Sequence, residues 1–177
     1  MFACAAVTAV SFAACGKVSH PTHVDTEGPY VDAGAITYQV QGSRQLNPYA
    51  PDDREFMMGI SSSPLTVGQE WFGVWLWAVN QTSRDVTTSD RFEIVDTQQT
   101  VYYPIPINTQ VNPFAWTAQT LAPKGVEPAP PTAASQVSPQ GGLILFKLND
   151  TVYANRPLTL RIFAPGQAQP STVSLDL

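Results

Sequence analysis

Glu70-Trp71-Phe72-Gly73-Val74-Trp75-Leu76-Trp77-Ala78-Val79-Asn80 is the stretch on which the fold turns. Phe72, Val74, Leu76 and Ala78 fall on one side of an extended chain. Trp71, Gly73, Trp75, Trp77 and Val79 fall on the other, because successive side chains of a strand point to opposite faces. Apolar residues on both sides predict a central strand, or one whose outer face is covered. Asn80-Gln81-Thr82-Ser83-Arg84-Asp85 then has the chemistry of a turn.

Outward from this strand the same period recurs. Ile36, Tyr38 and Val40 alternate with Thr37, Gln39 and Gln41, which predicts a half-buried strand. Asn47 to Glu55 holds two prolines and two aspartates and is expected to be a loop, with a short strand at Phe56 to Ile60. Phe92, Ile94 and Val101, Tyr103 flank a turn at Asp96-Thr97-Gln98-Gln99, the pattern of a hairpin. Short or buried strands are expected at Phe114 to Leu121, Gly142 to Leu148, Leu158 to Phe163 and Val173 to Leu177. Residues 122–140 hold five prolines (Pro123, Pro128, Pro130, Pro131, Pro139) and predict a long extended loop. No window sustains a capped apolar period of 3.6. The fold class that follows is all-β: an immunoglobulin-like antiparallel β-sandwich of about 7–9 strands.

The N-terminus carries a different signal. Only Thr8 and Ser11 interrupt an apolar run over the first fifteen residues, and the first charge is Lys17. A membrane-spanning helix needs roughly 20 apolar residues, so this run is too short to span. It ends in Ser11-Phe12-Ala13-Ala14-Cys15-Gly16, a short apolar region closed by small residues, as in a secretory signal. A cysteine directly after the small pair resembles a lipobox, at which a bacterial lipoprotein precursor is cut and acylated. Phe12 stands where that pattern has an aliphatic residue. The missing charged start is accounted for if the start codon lies upstream. The division expected is a signal peptide over 1–14, lipidated Cys15 with a flexible tether over 15–33, and a sandwich over 34–177. An ordinary cleaved signal, a buried first strand and a Cys4–Cys15 disulfide are the competing readings.

Charge narrows the partners. The chain carries a net −5, and only 13% of its residues are charged against a usual figure of about a quarter. Nine basic residues, scattered, predict no nucleic-acid binding. The same balance repels an anionic membrane surface, so attachment would come from lipid, which holds stably when more than one chain is present.

The sequence resembles a family of telokin-like, immunoglobulin-like domains found in secreted lipoproteins of Gram-positive bacteria and actinobacteria. The resemblance runs from about Gly34 to Leu177. It rests on Phe72 to Thr82, on Phe92-Glu93-Ile94-Val95-Asp96, on the turn Ala122-Pro123-Lys124-Gly125, and on Gly142-Leu143-Ile144-Leu145-Phe146. It implies the fold and an extracytoplasmic, lipid-anchored location. It implies no activity, since fold alone does not set function.

Catalytic sets are not expected. The two histidines, His20 and His23, fall on the tether, which leaves no base for a serine triad. Asp52, Asp53 and Glu55 are neighbours in a polar segment and suit solvated charges better than a glycosidase pair. No cofactor and no metal site is expected. One surface invites a binding role. Trp75 and Trp77 lie two apart on a strand, so they point the same way about 7 Å apart. Bare, they would show ~300–500 Å² of aromatic surface, about the largest patch of a typical monomer. Either the proline-rich loop or the tether covers that face, or it is a platform to which Phe114 and Trp116 add. The functions that follow are a non-catalytic surface lipoprotein that engages an unidentified protein or glycan partner, or a carbohydrate-binding module that uses Trp75, Trp77 and Trp116, with an envelope hydrolase as the third reading.

Overall fold

The computed structural model describes residues 18–175, so Cys15 and the lipobox lie outside the described residues. The strands are β1 (His23–Val24), β2 (Tyr30–Ala33), β3 (Ile36–Leu46), β4 (Gln69–Asn80), β5 (Val86–Thr87), β6 (Arg91–Val95), β7 (Val101–Tyr102), β8 (Thr120–Leu121), β9 (Val126–Glu127), β10 (Gly142–Asn149), β11 (Leu158–Phe163) and β12 (Ser171–Leu175). Two one-turn helices, α1 (Pro51–Arg54) and α2 (Ala133–Gln136), and a 3-10 turn at Asp150–Ala154 complete the set.

Two sheets face each other. One runs β1-β12-β11-β6-β7 and the other β10-β4-β3-β2, with β9 added to β4. β4, β6, β7, β10, β11 and β12 take the places of strands B, C, C′, E, F and G of an immunoglobulin domain, so the all-β, immunoglobulin-like sandwich follows from the strand order. The five strands beyond the longer seven are two-residue pairings. One pair departs from antiparallel order: β1 runs parallel to β12, with His23 beside Thr172.

β4 organises the molecule because both its faces are buried. Phe72, Val74, Leu76 and Ala78 join Tyr38, Ile94, Phe146, Leu160 and Val173 in the core between the sheets. Trp71 and Trp75 enter a second cluster on the outer face, with Leu46, Phe56, Phe114, Leu143 and Leu145. The register of β3 slips between Val40 and Gly42. A bulge exchanges the faces of everything after it. Ile36, Tyr38 and Val40 therefore point into the inner core, while Leu46 points into the outer one.

Three expectations need correction. The domain begins ahead of residue 34, inside the stretch expected as tether: β1 and β2 are strands, and Val24, Val31 and Ala33 are core residues. The short strand at Phe56 to Ile60 is instead a turn that follows α1, with a single bridge from Ile60 to Ile107. Packing decides this, because Phe56 is the lid of the outer cluster and not part of a ladder. The proline-rich loop is also more built than expected, since it contains β9 and α2.

Asn80 and the Ala122–Gly125 turn meet at one end of the sandwich. The buried Asn80 amide donates to the carbonyls of Leu121 (2.9 Å) and Arg84 (2.7 Å). Its backbone pairs with the Lys124–Gly125 turn at 2.8 and 2.9 Å.

Candidate functional site

The strand pairings define two ends. Asn80 pairs with Ile36 and Ala33 with Ile36, and Ser171 Oγ donates to the Asp32 carbonyl at 2.6 Å. The chain enters the domain at this end: the His20 backbone N–H donates to Asp32 Oδ2 at 3.0 Å, and Thr22 accepts from Thr172 at 2.9 Å. The opposite end holds Leu46 beside Trp71, Gln69 beside Asn149, and Leu158 beside Leu175. At ~3.3 Å per residue, the length of β4 sets the two ends about 40 Å apart.

A cleft of about 580 Å³ opens at the opposite end. Gln45, Asn47, Gln69 and Glu70 supply its polar groups. Leu46, Pro48, Pro64, Leu65, Tyr49 and Trp71 supply its apolar walls. Its size lies within the usual range for small-ligand sites, roughly 300–1,000 Å³.

Both lips of the cleft are pinned. Asp53 accepts from the Arg44 guanidinium at 2.6 Å and from the Asn47 N–H at 2.8 Å. Asn47 Oδ1 in turn accepts from the Tyr49 N–H at 2.9 Å, which holds the first lip. Tyr49 stands 89% exposed upon it. Burial would raise the Asp53 pKa, but the Arg44 and Asn47 bonds and the Arg44 charge outweigh it and hold the carboxyl below its usual value. Asp53 is thus a structural clasp, while Asp52 and Glu55 are exposed. On the second lip Lys147 Nζ donates to the Ser63 carbonyl at 2.7 Å and stands 5.0 Å from the Trp71 ring centre.

Glu70 is the chemical peculiarity of the cleft. It is only 5% exposed. Oε2 accepts from the Tyr153 hydroxyl at 2.8 Å. Oε1 is buried and has no hydrogen-bond partner among the described residues. Burial, and then the nearby Asp150 charge, raise its pKa, against the opposing Tyr153 bond. Burial together with the Glu70 bond and charge pushes Tyr153 up to about 12.

The tryptophans singled out by spacing do not form one platform. Trp75 is 0% exposed. Phe56 covers it edge-on at 5.3 Å, and Arg44 lies 5.3 Å from its ring centre. The cover comes from the segments around Phe56 and Phe114, with Ala133 and Val137 of the proline-rich loop. Trp77 is half-buried and meets Tyr30 at 6.1 Å, so β2, within the expected tether, shields it. Trp116 joins the other core: its indole N–H donates to the Ser89 carbonyl at 2.9 Å, and it packs on Phe92 and Tyr38. Of the four tryptophans only Trp71 lines the large cleft. The signal for that cleft in the sequence was weak, since it lay in the polar tail of β3 and in the one acid, Glu70, opening an apolar strand.

The histidines are part of the domain and not of a linker. His20 Nδ1 lies 3.3 Å from Asp32 Oδ1, and His23 contacts Thr172 at 2.7 Å and Asp25 at 2.8 Å. Among the described residues no group of three or more histidine, cysteine, aspartate or glutamate side chains is arranged to hold a metal ion.

No family model matches the chain, and no curated protein matches it. Solved structures do. The yjhA protein of Bacillus subtilis is similar with a TM-score of 0.54 at 11% identity, over 86% of this chain and 100% of its own. The ycdA protein of Bacillus subtilis, provisionally described as a lipoprotein, is similar with a TM-score of 0.51 at 9% identity. That match covers 84% of this chain and 38% of ycdA. At these identities the likeness is one of fold.

Proposed function

We propose that this chain is a non-catalytic, lipid-anchored extracytoplasmic protein of the telokin-like kind, which presents a binding cleft away from the membrane. The observation that carries the reading is the placement of chain entry and cleft at opposite ends of the sandwich. Four residues lie between Cys15 and His20, the first described residue bonded into the domain, which makes five steps of chain. They reach at most ~18 Å when fully extended. Acylation of Cys15 would therefore hold the Asp32–Asn80 end near the bilayer. The cleft between Tyr49 and Leu65 would then face outward, where a partner can reach it. The net charge of −5 favours an anchor made of lipid over one made of charge. The provisional description of ycdA fits this location.

A Cys15→Ala variant tests the anchor. The expected result is loss of lipid labelling and movement of the protein from the membrane fraction to the soluble one. A variant that stays with the membrane overturns the anchored reading.

The carbohydrate-binding alternative moves to a different surface. With Trp75 sealed beneath Phe56, an aromatic platform on the outer face of β4 is not available. Tyr49 and Trp71 in the cleft are the aromatic residues a ring could meet.

A further inference from the structure

We propose that the cleft takes a protonated primary amine on an aliphatic arm, as a lysine side chain of a partner presents it, with Glu70 as the receiving carboxylate. This rests on the reading of the cleft as the binding end and names the chemistry it would recognise.

A buried carboxylate oxygen without a donor is costly, and the partner it lacks is a hydrogen-bond donor. Glu70 Oε1 is such an atom, in a residue that lines the cleft. Tyr153 already satisfies Oε2. No lysine or arginine lines the cleft, and Asp150 adds negative charge close to Glu70. The field there favours a cation over a neutral donor. Lys147, on the lip, is committed to the Ser63 carbonyl, and Arg156 lies 5.2 Å from the Tyr153 ring centre.

The walls decide what carries the charge. Leu65, Pro48 and Pro64 are aliphatic surfaces, with Leu46 buried in the outer core behind the cleft. A lysine stem lays its methylenes along such surfaces while its ammonium seeks a polar end. Tyr49 at the rim offers an aromatic face at which the cation can enter. The side-chain oxygens of Gln45, Asn47 and Gln69 already accept from Tyr153, Tyr49 and Thr66, which leaves their NH2 groups to donate to backbone carbonyls on either side of the lysine.

The test uses the full chain in detergent micelles, with nitrogen-15 resonances of the Trp71 indole and the Gln45 and Gln69 amides as reporters. The probe is Nα-acetyl-lysine methylamide. Its Nε-acetylated form has the same stem without the charge, and glucosamine has the charge without the stem. The expected result is saturable shifts with the charged lysine probe, at least tenfold weaker binding of the acetylated form, and weaker binding of glucosamine. Glu70→Gln should lose at least tenfold while its spectrum stays dispersed. Tyr49→Ala, on an exposed rim residue that holds no fold contact through its ring, should also weaken the probe. Equal binding of the acetylated form, or unchanged affinity in Glu70→Gln, overturns the charge assignment but leaves the cleft as a binding site. Tighter glucosamine binding overturns the lysine arm. No saturable shift with any probe overturns both this proposal and the cleft reading, and does not touch the anchor, which the Cys15 variant tests separately.

Discussion

The Phe56 ring meets the Trp75 indole edge-on, with centroids 5.3 Å apart and planes at 84°. Phe114 meets Phe56 in turn at 4.9 Å. Edge-to-face pairs of this kind add stability beyond area burial. They turn the outer face of β4 into a second core. Phe56→Ala should therefore lower stability by about 3–5 kcal/mol, the usual cost of deleting a buried aromatic side chain. Tryptophan emission should shift to the red and become open to iodide quenching. An unchanged urea midpoint with unchanged emission would show that Trp75 is covered some other way.

Asn112 ties the two covering segments together. Its amide donates to the carbonyls of Phe56 (2.8 Å) and Met58 (3.0 Å), and its oxygen accepts from the Phe114 N–H at 2.9 Å. Asn112→Ala leaves the Phe56 carbonyl and the Phe114 N–H buried without partners, at a cost of roughly 1–3 kcal/mol. Limited proteolysis should then cut near residues 56–60 faster than in the wild type. An unchanged cutting rate would mean that the segment is held by its side chains alone.

The clasp at Asp53 should be visible in acid. Its folded pKa lies below the usual 3.8, so the native state favours the ionised form. The stability it contributes is present above pH 3.8 and is lost as pH falls through the folded value. Asp53→Asn should cost about 1.5–3 kcal/mol at pH 7, as for loss of hydrogen bonds to a charged group, and towards the lower end because Arg44 is partly exposed. Urea midpoints of variant and wild type should converge near pH 2. A gap that persists there would show that the Asn side chain fails for steric reasons and not for want of charge.

Glu127 should act with the opposite sign. It sits on β9 beside Ala78 and lines a groove with Asn112, Thr117 and Thr132. Burial pushes its pKa from 4.5 up to about 7. Between those two values the folded state holds a proton that the unfolded state has released, so stability falls as pH rises through this window. Glu127→Gln removes the ionisation. Its thermal midpoint should match the wild type near pH 4.5 and exceed it at pH 8. A constant difference across that range would contradict the shifted titration.

β4 announced the architecture because its two-sided apolar period admits only a covered strand, and the faces it named are the two cores observed. The hairpin around Asp96 was equally plain from its turn chemistry, which the structure realises as Asp96 Oδ1 accepting from the Gln98 and Thr100 N–H groups at 2.9 Å. The second half of β3 was hidden, because Gln41-Gly42-Ser43-Arg44-Gln45 is polar and the bulge reverses its faces. Gly42 was the clue, since its Cα packs so that an added Cβ would stand 3.3 Å from Pro139. β1 and β2 were hidden by composition: His23, Asp32 and Tyr30 read as tether, and only pairing with β12 and β3 makes them strands. The cleft was not legible, because its walls come from three separate segments, and the unpaired oxygen of Glu70 is a property of packing.

The orientation on the membrane is the claim most open to direct measurement. Arg84 is exposed at the end where the chain enters, and Val67 is fully exposed beside the cleft at the other. The lipidated protein, reconstituted on vesicles that carry a quencher on their headgroups, would bear one dye at either Arg84→Cys or Val67→Cys. The expected result is strong quenching of the dye at residue 84 and weak quenching at residue 67. Equal quenching of the two, or stronger quenching at residue 67, would contradict an anchored sandwich with its cleft turned outward.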